Sequence, residues 1–137
     1  MPLQLEIVTP EKKIFSDLVE NVYLPGADGE MGILPVHAGL VTALHPGELK
    51  YLHQGQVQSL AIGSGFAEIT QTKVIVLTDS ALGEAEIDEA QVEEAMKRAS
   101  EKLAGFDHSM NSEEVAYLQG VIARSAAALR FKRKTHL

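Results

Sequence analysis

The spacing of apolar residues changes once along this chain, close to residue 80, and that change limits what the two parts can become. Before it, Leu3, Leu5 and Ile7 alternate with Gln4 and Glu6, the period of two that a half-buried strand requires. Short β-rich runs follow at residues 19–24, 32–34, 40–44, 48–52, 57–62, 66–70 and 73–78. Turn residues separate them, including Pro25, Gly26, Asp28 and Gly29, then Pro46-Gly47, Gln54-Gly55 and Gln71-Thr72. Turns this dense predict antiparallel hairpins folded into a sandwich or barrel. The connections leave no room for helical crossovers, which argues against a parallel sheet.

After Gly83 the spacing becomes helical. Asp88 is a candidate N-cap with Gln91 at the third position, and Val92, Ala95, Met96, Ala99 and Leu103 form one stripe. Gly105 is a natural stop. Asn111 then caps a second helix, with Glu114 at its third position and a stripe of Val115, Leu118, Ile122, Ser125 and Leu129. Joined through residues 105–110, the two predict an antiparallel helical hairpin. Its faces are rich in Ala (Ala95, Ala99, Ala123, Ala126, Ala127, Ala128), and at ~0.8 kcal/mol per buried CH₂ an alanine seam holds weakly. Such a hairpin is expected to open, with fast amide exchange as its sign. The expected fold class is α+β: an antiparallel β-sandwich over residues 1–84, then a two-helix hairpin over 85–137.

Composition removes several functions. Cys is absent, which excludes disulfides, thiolate metal sites and a Cys nucleophile, and agrees with a reducing compartment. The first residues lack a secretory or Arg-rich targeting pattern, and no apolar run nears the ~18 residues of a membrane span. A soluble protein is expected, held near any membrane by other proteins. The net charge of −7 is uneven: four basic residues face ten acidic ones through Glu84, whereas Arg124, Arg130, Lys132, Arg133 and Lys134 have no acidic residue among them. An acidic body with a basic tail suits an acidic protein surface better than nucleic acid.

Candidate sites are few. Three glycines and two prolines within residues 25–37 fix an unusual loop path, and Asp28, Glu30 and His37 lie on it. They read as exposed groups on a rigid turn rather than an acid/base or metal set, since no nucleophile or further His is close in sequence. His45, His53, His108 and His136 show no paired spacing, so no zinc site is expected. Gly63-Ser64-Gly65 lies between strands with no Lys after it, which favours a tight bend over a phosphate loop. The basic tail serves either as a solvated helix end complementing the macrodipole or as a docking surface for an acidic partner.

The stretches 7–11, 14–17, 28–37, 40–44, 46–49, 63–68 and 74–79, in that order and spacing, resemble the ε subunit of bacterial F-type ATP synthases. The resemblance spans the sandwich, and a hairpin of suitable length follows. It implies a non-catalytic subunit of the central rotor of a proton-translocating synthase, with no cofactor or metal of its own. The implied partners are the γ subunit and the membrane-embedded c-ring, with Glu30, Gly32 and His37 at that interface. The implied place is peripheral, at the cytoplasmic face of the bacterial inner membrane, without insertion into it. The hairpin is implied to permit ATP hydrolysis when folded and to inhibit it when extended. Arg124, Arg130, Lys132, Arg133 and Lys134 would then meet the catalytic α/β subunits.

Departures from the family pattern bear on ligand binding. Gly39 stands where the family usually has Pro. Some members bind ATP through an Ile-Asp-x-x-Arg-Ala segment and two arginines of the second helix. Here Ile87, Asp88 and Arg124 match, but Gln91, Val92 and Ala128 do not. Losing two charged contacts at ~1.5–3 kcal/mol each predicts little ATP binding. Two rival readings remain at this level: an enzyme using Glu30, His37 and Asp28, and a free ligand-binding sandwich. Both leave the basic helical tail without a role.

Overall fold

The computed structural model describes residues 2–26, 29–33, 39–105 and 111–134. Ten strands form the first part: β1 (Leu3–Val8), β2 (Lys13–Val19), β3 (Asn21–Gly26), β4 (Gly29–Ile33), β5 (Leu40–Leu44), β6 (Gly47–His53), β7 (Gln56–Ile62), β8 (Gly65–Ile69), β9 (Lys73–Thr78) and β10 (Ala81–Leu82). A 3₁₀ turn at Glu84–Glu86 leads into helices α1 (Glu89–Ala104) and α2 (Ser112–Lys134).

The strands run β10-β7-β6-β3-β5-β8-β9-β1-β2, with β4 added alongside β3. The path bends at β3, which pairs with β6 through Asn21, Val22 and Tyr23 but with β5 only at Gly26 opposite Leu44. Two layers result, β4/β3/β6/β7/β10 and β5/β8/β9/β1/β2. Leu5 and Ile7 of β1, Leu24 of β3, Leu49 of β6 and Val74 and Val76 of β9 meet in one buried cluster between them. The alternation predicted for residues 3–7 is what drives this, since every second residue of β1 is fully buried.

Among the described residues every strand pair is antiparallel except one. β1 and β9 run parallel, Gln4 to Val8 beside Lys73 to Leu77. The expectation against parallel pairing assumed that a short crossover must be helical. Here the whole intervening sandwich is the crossover.

Two strands escaped the sequence pattern. β2 is an edge strand with Leu18 half exposed, so it lacks alternation, and Val19, expected to open the run 19–24, is instead its last residue. β10 is only two residues long. Pro25, Gly26 and Gly29 lie within β3 and β4 rather than between them, and Gly29 has φ +124°, a backbone state that favours glycine.

The helical caps follow the sequence. The Asp88 carboxylate accepts from Gln91 N at 3.2 Å, and Asn111 Oδ1 accepts from Glu114 N at 2.8 Å. Gly105 does end α1, but at φ −88°, so its left-handed freedom is unused. The loop 106–110 that joins the helices lies outside the described residues.

Candidate interaction surfaces

The hairpin rests on the outer face of β6 and β7. Its apolar foothold is small: Ala61, Ile87, Ala128 and Phe131 are buried together, with Leu82 and Val92 packed at the margin. Phe131, hidden in sequence among basic residues, is the one large side chain that α2 contributes to it. Its position three residues after Ala128, on the same helical face, was the available signal.

Around that foothold the basic tail is paired with this chain's own acids. Arg124 Nη1 lies 3.5 Å from Asp79 Oδ2, and Lys132 Nζ lies 3.0 Å from Glu84 Oε1 while also donating to the Glu84 carbonyl. Lys134 Nζ lies 2.9 Å from Glu48 Oε1. Arg133 turns the other way, to α1, where Nε is 3.3 Å from Glu89 and Nη2 meets Glu93. Arg130 is exposed and has no ion pair among the described residues. Three of these bridges therefore join helix to sandwich, and Arg133 joins helix to helix. The Arg124 and Arg133 pairs are exposed, hence individually weak and screened by salt, whereas Lys132 is largely covered.

The Arg124 contact depends on Gly63. A Cβ at Gly63 would stand 1.7 Å from Asp79 Oδ1, so only glycine leaves room for that carboxylate. Gly65 is just as confined, its Cβ falling 1.9 Å from the Leu77 carbonyl oxygen. The Gly63-Ser64-Gly65 segment is thus a close crossing of backbones, and Ser64 O accepts from the Thr78 hydroxyl and Asp79 N.

Glu30 and Gly32 lie on β4. Glu30 Oε2 is 3.7 Å from Lys50 Nζ and is largely exposed, and Lys50 also sits 5.6 Å over the Tyr23 ring. That ring covers Gly32, where a Cβ would come within 3.1 Å of it. Asp28 and His37 lie outside the described residues. Lys50 and Tyr23 were not singled out from sequence, because the register that brings Tyr23 beside both Lys50 and Gly32 is a tertiary fact.

The outer face of the second layer carries one apolar row. Ala43, Phe66, Leu77 and Val8 stand in one row across β5, β8, β9 and β1, and Val41 lies two residues from Ala43. Phe66 is 60% exposed, Leu77 53% and Val41 68%. Exposed apolar rows of this kind mark surfaces that other proteins cover.

At the seam where β2 meets β6, His53 Nε2 is 2.9 Å from Asp17 Oδ2. The Phe15 ring lies 4.6 Å from Tyr51 and edge-on to His53. The His53 hydrogen bond, helped by Leu18 N, holds the Asp17 carboxyl below its usual range, and burial pushes the Tyr51 phenol up.

The three residues with nucleotide-binding counterparts are each engaged elsewhere. Ile87 is buried in the foothold, Asp88 caps α1, and Arg124 turns to Asp79. No group of three or more potential metal ligands occurs among the described residues. Nor, among them, is any helix long and apolar enough to cross a membrane.

The family model for the ATP synthase delta/epsilon chain β-sandwich domain matches residues 2–84. The ATP synthase epsilon chain of Desulforamulus reducens is 41% identical over 127 residues, covering 91% of this chain and 96% of that one. The chain belongs to the ATP synthase epsilon family. Two solved structures share the fold of this epsilon chain. In the Euglena gracilis mitochondrial ATP synthase (OSCP/F1/c-ring), the matching chain has a TM-score of 0.69 and 23% identity, with coverage of 98% of this chain and 81% of that one. In the Tetrahymena thermophila mitochondrial ATP synthase central stalk and c-ring, the corresponding values are 0.61, 10%, 96% and 97%. An epsilon chain is a subunit of the synthase and not a catalyst in its own right. The rival enzyme reading of Asp28, Glu30 and His37 is set aside on that basis.

Proposed function

We propose that this epsilon chain is a central-stalk rotor subunit of a proton-translocating synthase, with residues 1–84 as its docking module and 85–137 as its regulatory arm. The sandwich couples γ to the c-ring at the cytoplasmic face of a bacterial inner membrane, through the Glu30 and Gly32 hairpin and His37. The apolar row of Phe66, Leu77 and Val41 supports a second protein interface on the layer away from the hairpin. The Tetrahymena relative in fold comes from a central stalk and c-ring assembly, which agrees with this placement.

One observation carries the regulatory part. The basic groups proposed to meet acidic catalytic α/β subunits are already paired with acids of this chain while α2 lies on the sandwich. The same cations serve one acidic surface or the other. The folded hairpin is thus a permissive state; release from the sandwich frees Arg124, Lys132 and Lys134, and separation of α2 from α1 frees Arg133, which join Arg130 for inhibition. A foothold of four buried side chains keeps the two states close in energy, as a switch requires.

The test is ATP hydrolysis by a catalytic head stripped of epsilon, titrated with the full chain and with a version ending at Ala85. The sandwich core contains no residue beyond Ala81 among those described, so the shorter chain keeps it whole. The full chain is expected to lower the rate and the shorter one to bind without doing so. Equal rates with both bound would make the hairpin a permanent clasp. Calorimetry is expected to show no ATP binding at or below millimolar dissociation constants, given the engagement of Ile87, Asp88 and Arg124.

A further inference from the structure

The end of α2 and the Glu30 hairpin share one face of one layer, and charges of alternating sign connect them. Glu48 and Lys50 point outward from β6, while Leu49 and Tyr51 are buried on its other side. Along this face run Lys134, Glu48, Lys50 and Glu30: Lys134 Nζ is 2.9 Å from Glu48 and Lys50 Nζ is 3.7 Å from Glu30. The Lys134 ammonium is held above its usual range mainly by the Glu48 hydrogen bond, and Glu30 adds to this through space.

We infer that a cationic group of a partner docking on Glu30 loosens the end of the hairpin, because it releases Lys50 to take Glu48 from Lys134. Glu48 and Lys50 are two residues apart on one strand, about 7 Å at ~3.3 Å per residue. A Lys side chain, a mobile point charge on a four-carbon stem, spans that distance. While Glu30 holds Lys50, Glu48 is left to Lys134. Once Glu30 is taken, Lys50 competes for Glu48 and repels Lys134. Occupation of the β3–β4 hairpin is thereby transmitted to the regulatory arm. This relay rests on the reading that Glu30 faces a partner and that α2 can leave the sandwich. It adds the route by which the first event biases the second.

The sign of each variant follows. Glu30→Gln mimics occupation and opens the hairpin. Lys50→Gln removes the competitor for Glu48, leaves that carboxylate to Lys134 alone and closes the hairpin. In the absence of Lys50, changing Glu30 has little effect.

The full chain has no Cys, so Gln58→Cys on β7 and Ala116→Cys on α2, both exposed, accept a donor and an acceptor dye specifically. Energy transfer at low salt then reports the open fraction in the parent chain, Glu30→Gln, Lys50→Gln, the double variant and Lys134→Gln. Glu30→Gln is expected to raise the ratio of open to closed about two- to five-fold, the scale of one exposed ion pair. Lys50→Gln is expected to lower it by a similar factor, and the double variant to resemble Lys50→Gln alone. If Lys134→Gln opens the hairpin but Glu30→Gln does not, the relay is overturned and the latch stands. The relay is overturned as well if Glu30→Gln acts just as strongly without Lys50. If Lys134→Gln changes nothing, the latch at this end and the relay fall together.

Discussion

The sandwich core and the seat of the hairpin are both apolar clusters, but they are built on different scales. Leu3, Leu5, Ile7, Leu24, Ile33 and Leu49 are fully buried between two layers, each strand giving alternate residues to the same interior. The hairpin seat has two alanines, Ile87 and Phe131, ringed by ion pairs in contact with water. Buried area sets the first region's strength, and salt hardly touches it. In the second, screened charges and a single aromatic ring share the task. Unequal apportioning of large side chains thus sets a firmly packed region beside a lightly held one in a single chain.

The comparison is open to direct attack. Leu49→Ala should cost ~2–5 kcal/mol and lower the denaturant midpoint of the whole chain. Phe131→Ala should cost up to ~3 kcal/mol of docking, accelerating amide exchange in α2 by about 100-fold while the sandwich transition stays put. If instead it lowers that transition as far as Leu49→Ala does, the two regions are one cooperative unit.

Smaller effects sharpen the contrast. Raising salt from ~0.1 M to ~1 M shortens the Debye length from ~10 Å to ~3 Å, and should open the hairpin a few-fold with little change in sandwich melting. Energy transfer and circular dichroism, followed together, separate these responses. Gly63→Ala should push the Asp79 carboxylate aside and cost the Arg124 contact, raising exchange in the middle of α2 by a lesser factor.

The smallest effect expected is a pH response of the β2–β6 seam. The carboxyl of Asp17 lies below its ordinary 3.8 when folded, so its contribution is complete above 3.8 and disappears as pH falls through the lower folded value. Acid titration of Asp17→Asn should lack that part of the decline.

The strands with one wet face were legible because burial on one side imposes alternation, as at Leu3, Leu5 and Ile7. β2 was not, since an edge strand with Leu18 turned to solvent has no such pattern to show. Helix positions and caps could be read from Asp88, Asn111 and the two apolar stripes, because a helix is a local structure. The basic tail was equally visible, but the acidic surface expected for it was another protein's. Its pairing with this chain's own Asp79, Glu84 and Glu48 could not be read. Those residues are from 45 to 86 positions away, and no local period reports so distant a pairing.

By itself the sequence determined the change from strands to helices near residue 80, most of the elements on either side of it and the contrast between an acidic body and a basic tail, since periodicity and composition express short-range physics. The tertiary structure decided the parallel pairing of β1 with β9, the Phe131 foothold and the line of charges from Glu30 to Lys134. Each of these depends on which distant surfaces meet, and that is settled only when the layers and the hairpin pack.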